Sequence, residues 1–418
     1  MNRTLTIRLR DLVWFLIINI ILTQNALMRV SSAFRLVDEA LTVFFLLAIL
    51  LYFNRIRREH VRIFILLFIL FVLGLIGNAT SGIARRKTAI LLDMLYFSKL
   101  YICLIGSILY FEKKGGLERI THALAVETHL LTVLGLVLAL MSQSVDFGMT
   151  RGIRFGFKAF QFVYSNPGMF SQYCMAFLLI LTVDLKNARN RLARYVWIGL
   201  FFLLWFSTGR TRSIATVMIW CFVLMITNSG AIKRESDLSR RQIIRKYMKP
   251  RYLILGTIAV LFVGWDQIQY YFGTESTTAR SLLLRGGIAV MKDLFPWGAG
   301  FATFGTEMAA RYYSPLYYRY GLYTYWGLAE GGTELTDCFW PAVAAEFGFL
   351  ALPIMVLIVW RLVRTMLLQA KTGRFELVAA ITYAAYMLIS STGTSVFTAY
   401  TITGFTIVFI GLITRKTN

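Results

Sequence analysis

Residues 336–348 read TDCFWPAVAAEFG, and they lead the chain back into an apolar helix after a long polar insert, 271–339. The insert also holds ARSLLLRGG at 279–287, the glycine-rich PWGAGFATFG at 296–305 and the tyrosine-dense RYYSPLYYRYGLYTYWG at 311–327. It is the only long water-exposed stretch in a chain that otherwise reads as membrane from end to end. That contrast decides the fold class. The sequence predicts an all-α protein, a polytopic membrane helix bundle with one large extracytoplasmic loop carrying short interfacial helices.

The 418 residues are 57% hydrophobic and 16% charged, with a mean hydropathy of +0.63. Soluble domains carry about a quarter charged residues. Apolar runs of ~17–23 residues recur, long enough at ~1.5 Å per residue to cross a core of ~30 Å. Twelve spans are expected, near 11–28, 36–53, 63–80, 89–111, 120–141, 168–184, 194–208, 213–228, 252–270, 340–360, 375–391 and 394–413. Residues 1–418 then form a single integral membrane unit. The first apolar run lacks a small-residue cleavage site and another span soon follows, so no cleavable signal peptide is expected.

A net charge of +23 invites a nucleic-acid reading. Its distribution argues otherwise. With the N-terminus inside and sides alternating, 28 of the 44 lysines and arginines fall on inner segments and 15 on outer ones, Lys99 lying within a span. This is the positive-inside bias, and it puts both termini in the cytoplasm. The strongest inner anchor is the basic segment 233–251, KRESDLSRRQIIRKYMKPR, a topological and lipid-contacting element; no nucleic-acid partner is expected. Cys103, Cys174 and Cys221 lie in apolar spans, and neither they nor Cys338 sit at metal-ligand spacing. His60, His122 and His129 make no metal pattern either, so no metal and no cofactor is expected.

Four constellations carry candidate chemistry. The first is STGRTRS at 207–213, a tight outward hairpin with Arg210 and Arg212 against the positive-inside trend. Guanidinium groups grip phosphate bidentately, and the neighbouring Ser, Thr and Gly add hydroxyl and backbone donors. The bland reading is snorkelling to lipid headgroups. The second is Arg280 and Arg285 on the stretch 277–295, which reads as an interfacial helix with Leu282, Leu283, Ile288 and Ala289 apolar. Five residues apart, the two arginines sit about 140° apart round the helix. The third is Asp337, either the cap of the re-entering helix or a general base. The fourth is the aromatic set, with Tyr317, Tyr320, Tyr323 and Trp326 followed by Glu334, suited to sugar rings and hydroxyls and equally to a membrane interface. Within the spans, Lys99, Asp93 and Glu127 are costly charges; a Lys99–Glu127 pair is the simplest structural reading, a proton or ion pathway the functional one. A second outer loop, 142–167, carries Arg151, Arg154 and Lys158 among aromatic residues.

The order of these features is familiar. An outer Arg hairpin follows an apolar helix. Then come R-x4-R in a large outer loop, the glycine-rich PWGAGFATFG, and an acidic residue before a helix holding E-F-G. Over roughly 200–360 this resembles the bacterial O-antigen polymerase and O-antigen ligase family, the Wzy-type and related GT-C glycosyltransferases. The resemblance implies an enzyme of the bacterial cytoplasmic (inner) membrane that acts on undecaprenyl-pyrophosphate-linked oligosaccharide at the outer face, without nucleotide sugar or metal. It implies that Arg210, Arg280 and Arg285 bind pyrophosphate. In the ligase branch a His stands where the loop re-enters the membrane; here that position is Asp337, with Cys338, Glu346 and Gly348 continuing the pattern. The insert holds no His, a departure that favours polymerase over ligase.

The expectation is therefore a polymerase of lipid-linked repeat units for O-antigen, capsule or exopolysaccharide. It would transfer glycan from undecaprenyl pyrophosphate to a sugar hydroxyl, with the bilayer, a chain-length regulator and a flippase as partners. Two alternatives stand beside it: a ligase-type glycan transferase, and a lipid-linked oligosaccharide flippase or transporter. Against the transporter, no repeated halves or paired broken helices are evident in the sequence.

Overall fold

Backbone that crosses an apolar slab must satisfy its own hydrogen bonds, so apolar runs of this kind fold as helices. The computed structural model describes residues 8–84, 86–228, 277–370 and 373–415. Through these run α1 (Leu9–Val30), α2 (Val37–Leu51), α3 (Arg58–Ser81), α4 (Lys87–Lys114), α5 (Glu118–Ser144), α6 (Pro167–Asp184), α7 (Arg191–Phe206) and α8 (Thr211–Asn228). The insert contributes α9 (Ala279–Asp293), α10 (Glu307–Arg311) and α11 (Pro315–Arg319). The chain closes with α12 (Phe339–Phe347), α13 (Ala351–Gln369), α14 (Arg374–Ser391) and α15 (Tyr400–Ile413).

Among the described residues six helices are long and apolar enough to cross a membrane: Leu9–Val30, Arg58–Ser81, Lys87–Lys114, Glu118–Ser144, Pro167–Asn187 and Ala351–Gln369. Thr211–Thr227 and Tyr400–Ile413 are apolar but shorter. The expected span 252–270 and the basic segment 233–251 lie outside the described residues. The bundle is helical as expected, with one addition. Residues Thr150–Arg154 (β1) and Phe157–Phe160 (β2) form an antiparallel hairpin in the loop between α5 and α6.

One expected span needs correcting. The run 340–360 is not continuous, because α12 stops after nine residues and α13 begins at Ala351. Gly348 makes the break at φ +73°, and a Cβ there would lie 2.1 Å from the Pro296 carbonyl oxygen. Only glycine permits both the conformation and the approach.

The centre of the bundle is α6 and α15. From Thr401 to Ile413 every residue of α15 is buried, and so is every residue of α6 except Met169. Polar groups in this core are paired. Tyr383 donates to the Ile402 carbonyl at 3.0 Å, Thr401 to Gln172 Oε1 at 3.0 Å, and the Trp220 indole to Thr182 at 2.9 Å.

Lys99 on α4 is 3% exposed, and its partner is not Glu127. Its Nζ lies 2.6 Å from both Asp38 Oδ2 and Glu39 Oε1 at the start of α2. Glu127 on α5 instead bonds Asn19 on α1. The sequence identified a costly buried cation but not which helix would lie opposite it. Removing one member of a buried ion group strands the others at roughly 3–5 kcal/mol. Lys99→Met should therefore lower the thermal unfolding midpoint in detergent by several degrees, while Glu127→Gln should leave it nearly unchanged. An unchanged midpoint for Lys99→Met would mean that water reaches the carboxylates.

Candidate functional site

Three segments far apart in sequence bring charged side chains together. The first is the turn 207–210 between α7 and α8. Thr208 and Ser213 are fully buried and brace this turn. Thr208 donates to the Trp205 carbonyl at 2.8 Å, and Ser213 bonds Ser171 on α6 at 2.9 Å. These hydroxyls shape the turn and are not presented to a ligand, contrary to the sequence reading.

The turn delivers Arg210 and Arg212 to the N-terminus of α6. Asn166 caps that helix through a 2.9 Å bond from the Met169 N–H, with Pro167 in the first turn. Gly168 follows, and the Arg210 guanidinium rests against it: a Cβ there would lie 3.3 Å from Nη2. Arg212 Nη2 donates to the Gly168 carbonyl at 2.5 Å, while its Nε is buried with no hydrogen-bond partner among the described residues. The positive end of the helix dipole adds to both charges. Asn-Pro-Gly at 166–168 was the legible sign of this helix start, though nothing local linked it to the arginines.

The second segment is the start of α9, where Arg280 packs its guanidinium against Gly393: a Cβ there would lie 3.2 Å from Cζ. The third is 336–338. Ser395 donates to the Thr336 carbonyl at 2.6 Å, and the Trp340 indole to Ser391 at 3.1 Å. These bonds tie the start of α12 to the turn after α14. Asp337 Oδ2 then sits 3.5 Å from Arg280 Nη2, its side chain one-third exposed.

Asp337 does not cap α12. Cys338 holds the N-cap position, and no side-chain cap bond forms there. The carboxyl is instead raised to about 6, by burial above all. Arg280 opposes that rise, Glu334 adds to it, and Arg212 and Arg210 pull it down more weakly. Arg210, Arg212, Arg280 and Asp337 therefore form one electrostatic unit. A capping carboxylate would be a poor base; one raised to about 6 is well suited to accept a proton near neutral pH.

Other predicted residues separate. Arg285 is exposed on α9, about 140° round from Arg280. Part of the apolar face of α9 packs inward, while Ile288 is 38% exposed. Leu283 is 1% exposed in a small core with Val290, Phe304 and Tyr317, and Gly287 meets Pro341 on α12 at 2.8 Å for a built Cβ. Tyr317 is fully buried, its hydroxyl accepting the Gly305 N–H at 2.9 Å, so it shapes the fold and offers nothing to a sugar. The Tyr320 hydroxyl donates to Asp293 at 2.6 Å, and burial first, then this bond, pushes it up to about 12. Tyr323 and Trp326 are exposed at 48% and 83% and can meet a ligand. Glu334 is half-buried near Asp337, with its carboxylate against Gly327. Among the described residues no group of three or more His, Cys, Asp or Glu side chains is placed to hold a metal ion.

The sequence noted Arg154 without giving it a role. The β1–β2 hairpin folds onto the arginine turn, with the Phe160 N–H donating to the Ser207 carbonyl at 2.8 Å. Gly209, at φ +62°, leaves room for Arg154, whose Cβ would be 2.8 Å from a Cβ built at 209.

No family model matches the chain, and no curated protein matches it.

The site can be tested by titration. Arg280 holds the Asp337 carboxyl down, so Arg280→Met should move it above about 6. Infrared difference spectra should show a protonated-carboxyl band that fades as pH rises through about 6 in the native protein. That band should persist to higher pH in Arg280→Met and vanish in Asp337→Asn. A midpoint unmoved by Arg280→Met would dissolve the pair.

Proposed function

We propose that this chain is a glycosyltransferase of the bacterial inner membrane that polymerises lipid-linked oligosaccharide repeat units at the membrane's outer face. The observation that carries the reading is the convergence of Arg210, Arg212 and Arg280 on Asp337 beside a helix N-terminus. Three guanidinium groups and a helix dipole suit a pyrophosphate, and fixed cations offset the charge that develops as it leaves. Asp337, raised to about 6 and within reach of these cations, would take the proton from the attacking sugar hydroxyl. The bond between anomeric carbon and phosphate oxygen breaks, a new glycosidic bond forms, and the lipid pyrophosphate departs with its electron pair. Exposed Tyr323 and Trp326 supply apolar faces for sugar rings. Undecaprenyl-pyrophosphate-linked oligosaccharide is the substrate under this reading, and a ligase would use the same donor chemistry with a different acceptor.

Purified protein in detergent, supplied with lipid-linked repeat units, should extend them into polymer. Arg210→Ala and Arg280→Ala should each reduce the rate severely, and the lysine variants should recover only part of it, because a point charge replaces a fork. Asp337→Asn should cost ~10²-fold or more. In the native enzyme kcat/KM should rise with pH through about 6, where Asp337 loses its proton, and Asp337→Asn should lack that limb. An Asn variant with native rate would remove Asp337 from the chemistry, and full activity in both alanine variants would remove the arginines. For topology, a cysteine at the exposed Glu330 should react with an impermeant thiol reagent in intact spheroplasts. Labelling only after lysis would invert the assignment.

A further inference from the structure

The hairpin beside the arginine cluster has a composition that its own folding does not require. Its turn is Arg154-Phe155-Gly156-Phe157, with Phe155 at φ +53° and Gly156 at φ +82°. Positive φ at both central positions suits Asn-Gly or Gly-Gly, because an L side chain with a bulky ring is strained there. Phe155 nonetheless occupies the first position and is 65% exposed. Ile153 beside it is 75% exposed. Neither ring nor branched chain contributes to the core. Arg151 and Arg154 are also exposed, and no salt bridge to either forms among the described residues. Meanwhile the hairpin is fixed to the site by the Phe160–Ser207 bond and by the stem of Arg154 lying over Gly209, the residue before Arg210.

We propose that the β1–β2 hairpin is a second, lipid-reading part of the arginine site: Arg154 adds a guanidinium to the bound pyrophosphate, and Ile153 with Phe155 contacts the isoprenoid chain attached to it. The inference rests on the pyrophosphate reading above and deepens it. The arrangement fits an amphipathic ligand whose anionic head and apolar tail are adjacent. The head meets Arg154 next to Arg210, and the tail leaves past the exposed apolar tip. A free phosphate would use the first contact but not the second. The hairpin would thereby select lipid-linked pyrophosphate over soluble anions.

The test uses the full chain in nanodiscs and two probes, farnesyl pyrophosphate and inorganic pyrophosphate, with affinities read by thermophoresis. Arg154→Ala should weaken both probes roughly tenfold, the scale of one lost charge-assisted contact. The double variant Ile153→Ser, Phe155→Ser should weaken farnesyl pyrophosphate roughly tenfold and leave inorganic pyrophosphate unchanged. Both variants alter exposed residues, and an unchanged unfolding midpoint will show that the fold persists. If Arg154→Ala binds both probes as the native chain does, or if the double variant affects the two probes equally or not at all, the hairpin is no part of the site. If the native chain binds neither probe, the pyrophosphate reading itself falls and this inference falls with it. Native binding with silent hairpin variants overturns the inference alone.

Discussion

The buried carboxyl group of Glu346, near the end of α12, is the centre of the contacts that seat the glycine-rich loop on the bundle. It is fully buried and accepts the N–H groups of Thr303 at 2.8 Å and Phe304 at 3.1 Å and the Thr306 hydroxyl at 3.1 Å. Asp93 on α4 takes the Ala302 N–H at 2.8 Å beside it. The loop backbone also pairs with the helix, Ala299 and Gly300 donating to the Ala345 and Glu346 carbonyls at 2.8 Å each. Asn78 on α3 closes the other side by bonding both the N–H and the carbonyl of Phe301. Such a loop can be buried only because its polar groups are satisfied in this way. Its burial fixes where α9 ends and, through α9, where Arg280 lies.

This changes the meaning of the glycine-rich segment. It is not a surface break after a helix but a plug seated between α3, α4 and α12. Gly300, at φ +85°, would place a Cβ 2.3 Å from the Asn78 backbone nitrogen, so the close approach of loop to helix depends on the missing side chain. Phe301 and Phe347 then meet edge to face at 4.8 Å, and Phe97 joins them from α4. The insert gains its own small core above this plug, with Leu283, Leu316, Tyr317 and Leu328 buried in it. A segment that reads as polar and tyrosine-rich thus folds as a packed cap. Most of its tyrosines serve the packing or bond to neighbours, and few remain for a ligand.

The candidate site depends on that cap and on the bundle together. Arg210 and Arg212 come from a turn braced by buried hydroxyls, Arg280 from the cap, and Asp337 from the joint between them. Two of these charges pack against glycine, Arg210 at Gly168 and Arg280 at Gly393. Cations gathered in this way repel one another, and Asp337 together with the backbone carbonyl of Gly168 offsets part of that cost. A site that gathers three guanidinium groups beside a helix N-terminus suits an anion. This is the physical basis of the proposed pyrophosphate chemistry.

The sequence by itself determined the helical, apolar character of the chain, because hydropathy over a window the length of a helix needs no knowledge of neighbours. It also singled out Arg210, Arg212, Arg280 and Asp337, since charges at the ends of apolar runs stand out by contrast. Their assembly was settled only by the tertiary structure, which brings together segments as distant as residues 168, 210, 280 and 337. The same holds for the errors. Local pattern pairs Glu127 with Lys99 because both lie in spans, yet helix adjacency is a property of packing, and α2 lies opposite Lys99 instead. For Asp337 local pattern leaves cap and general base both open, because capping is a local preference while its partner Arg280 comes from another helix. The break at Gly348 was invisible because it is imposed by the Pro296 carbonyl, more than fifty residues away in the chain. Local pattern fixes what each segment is; long-range packing decides which segments meet, and the chemistry of this site lies in the meeting.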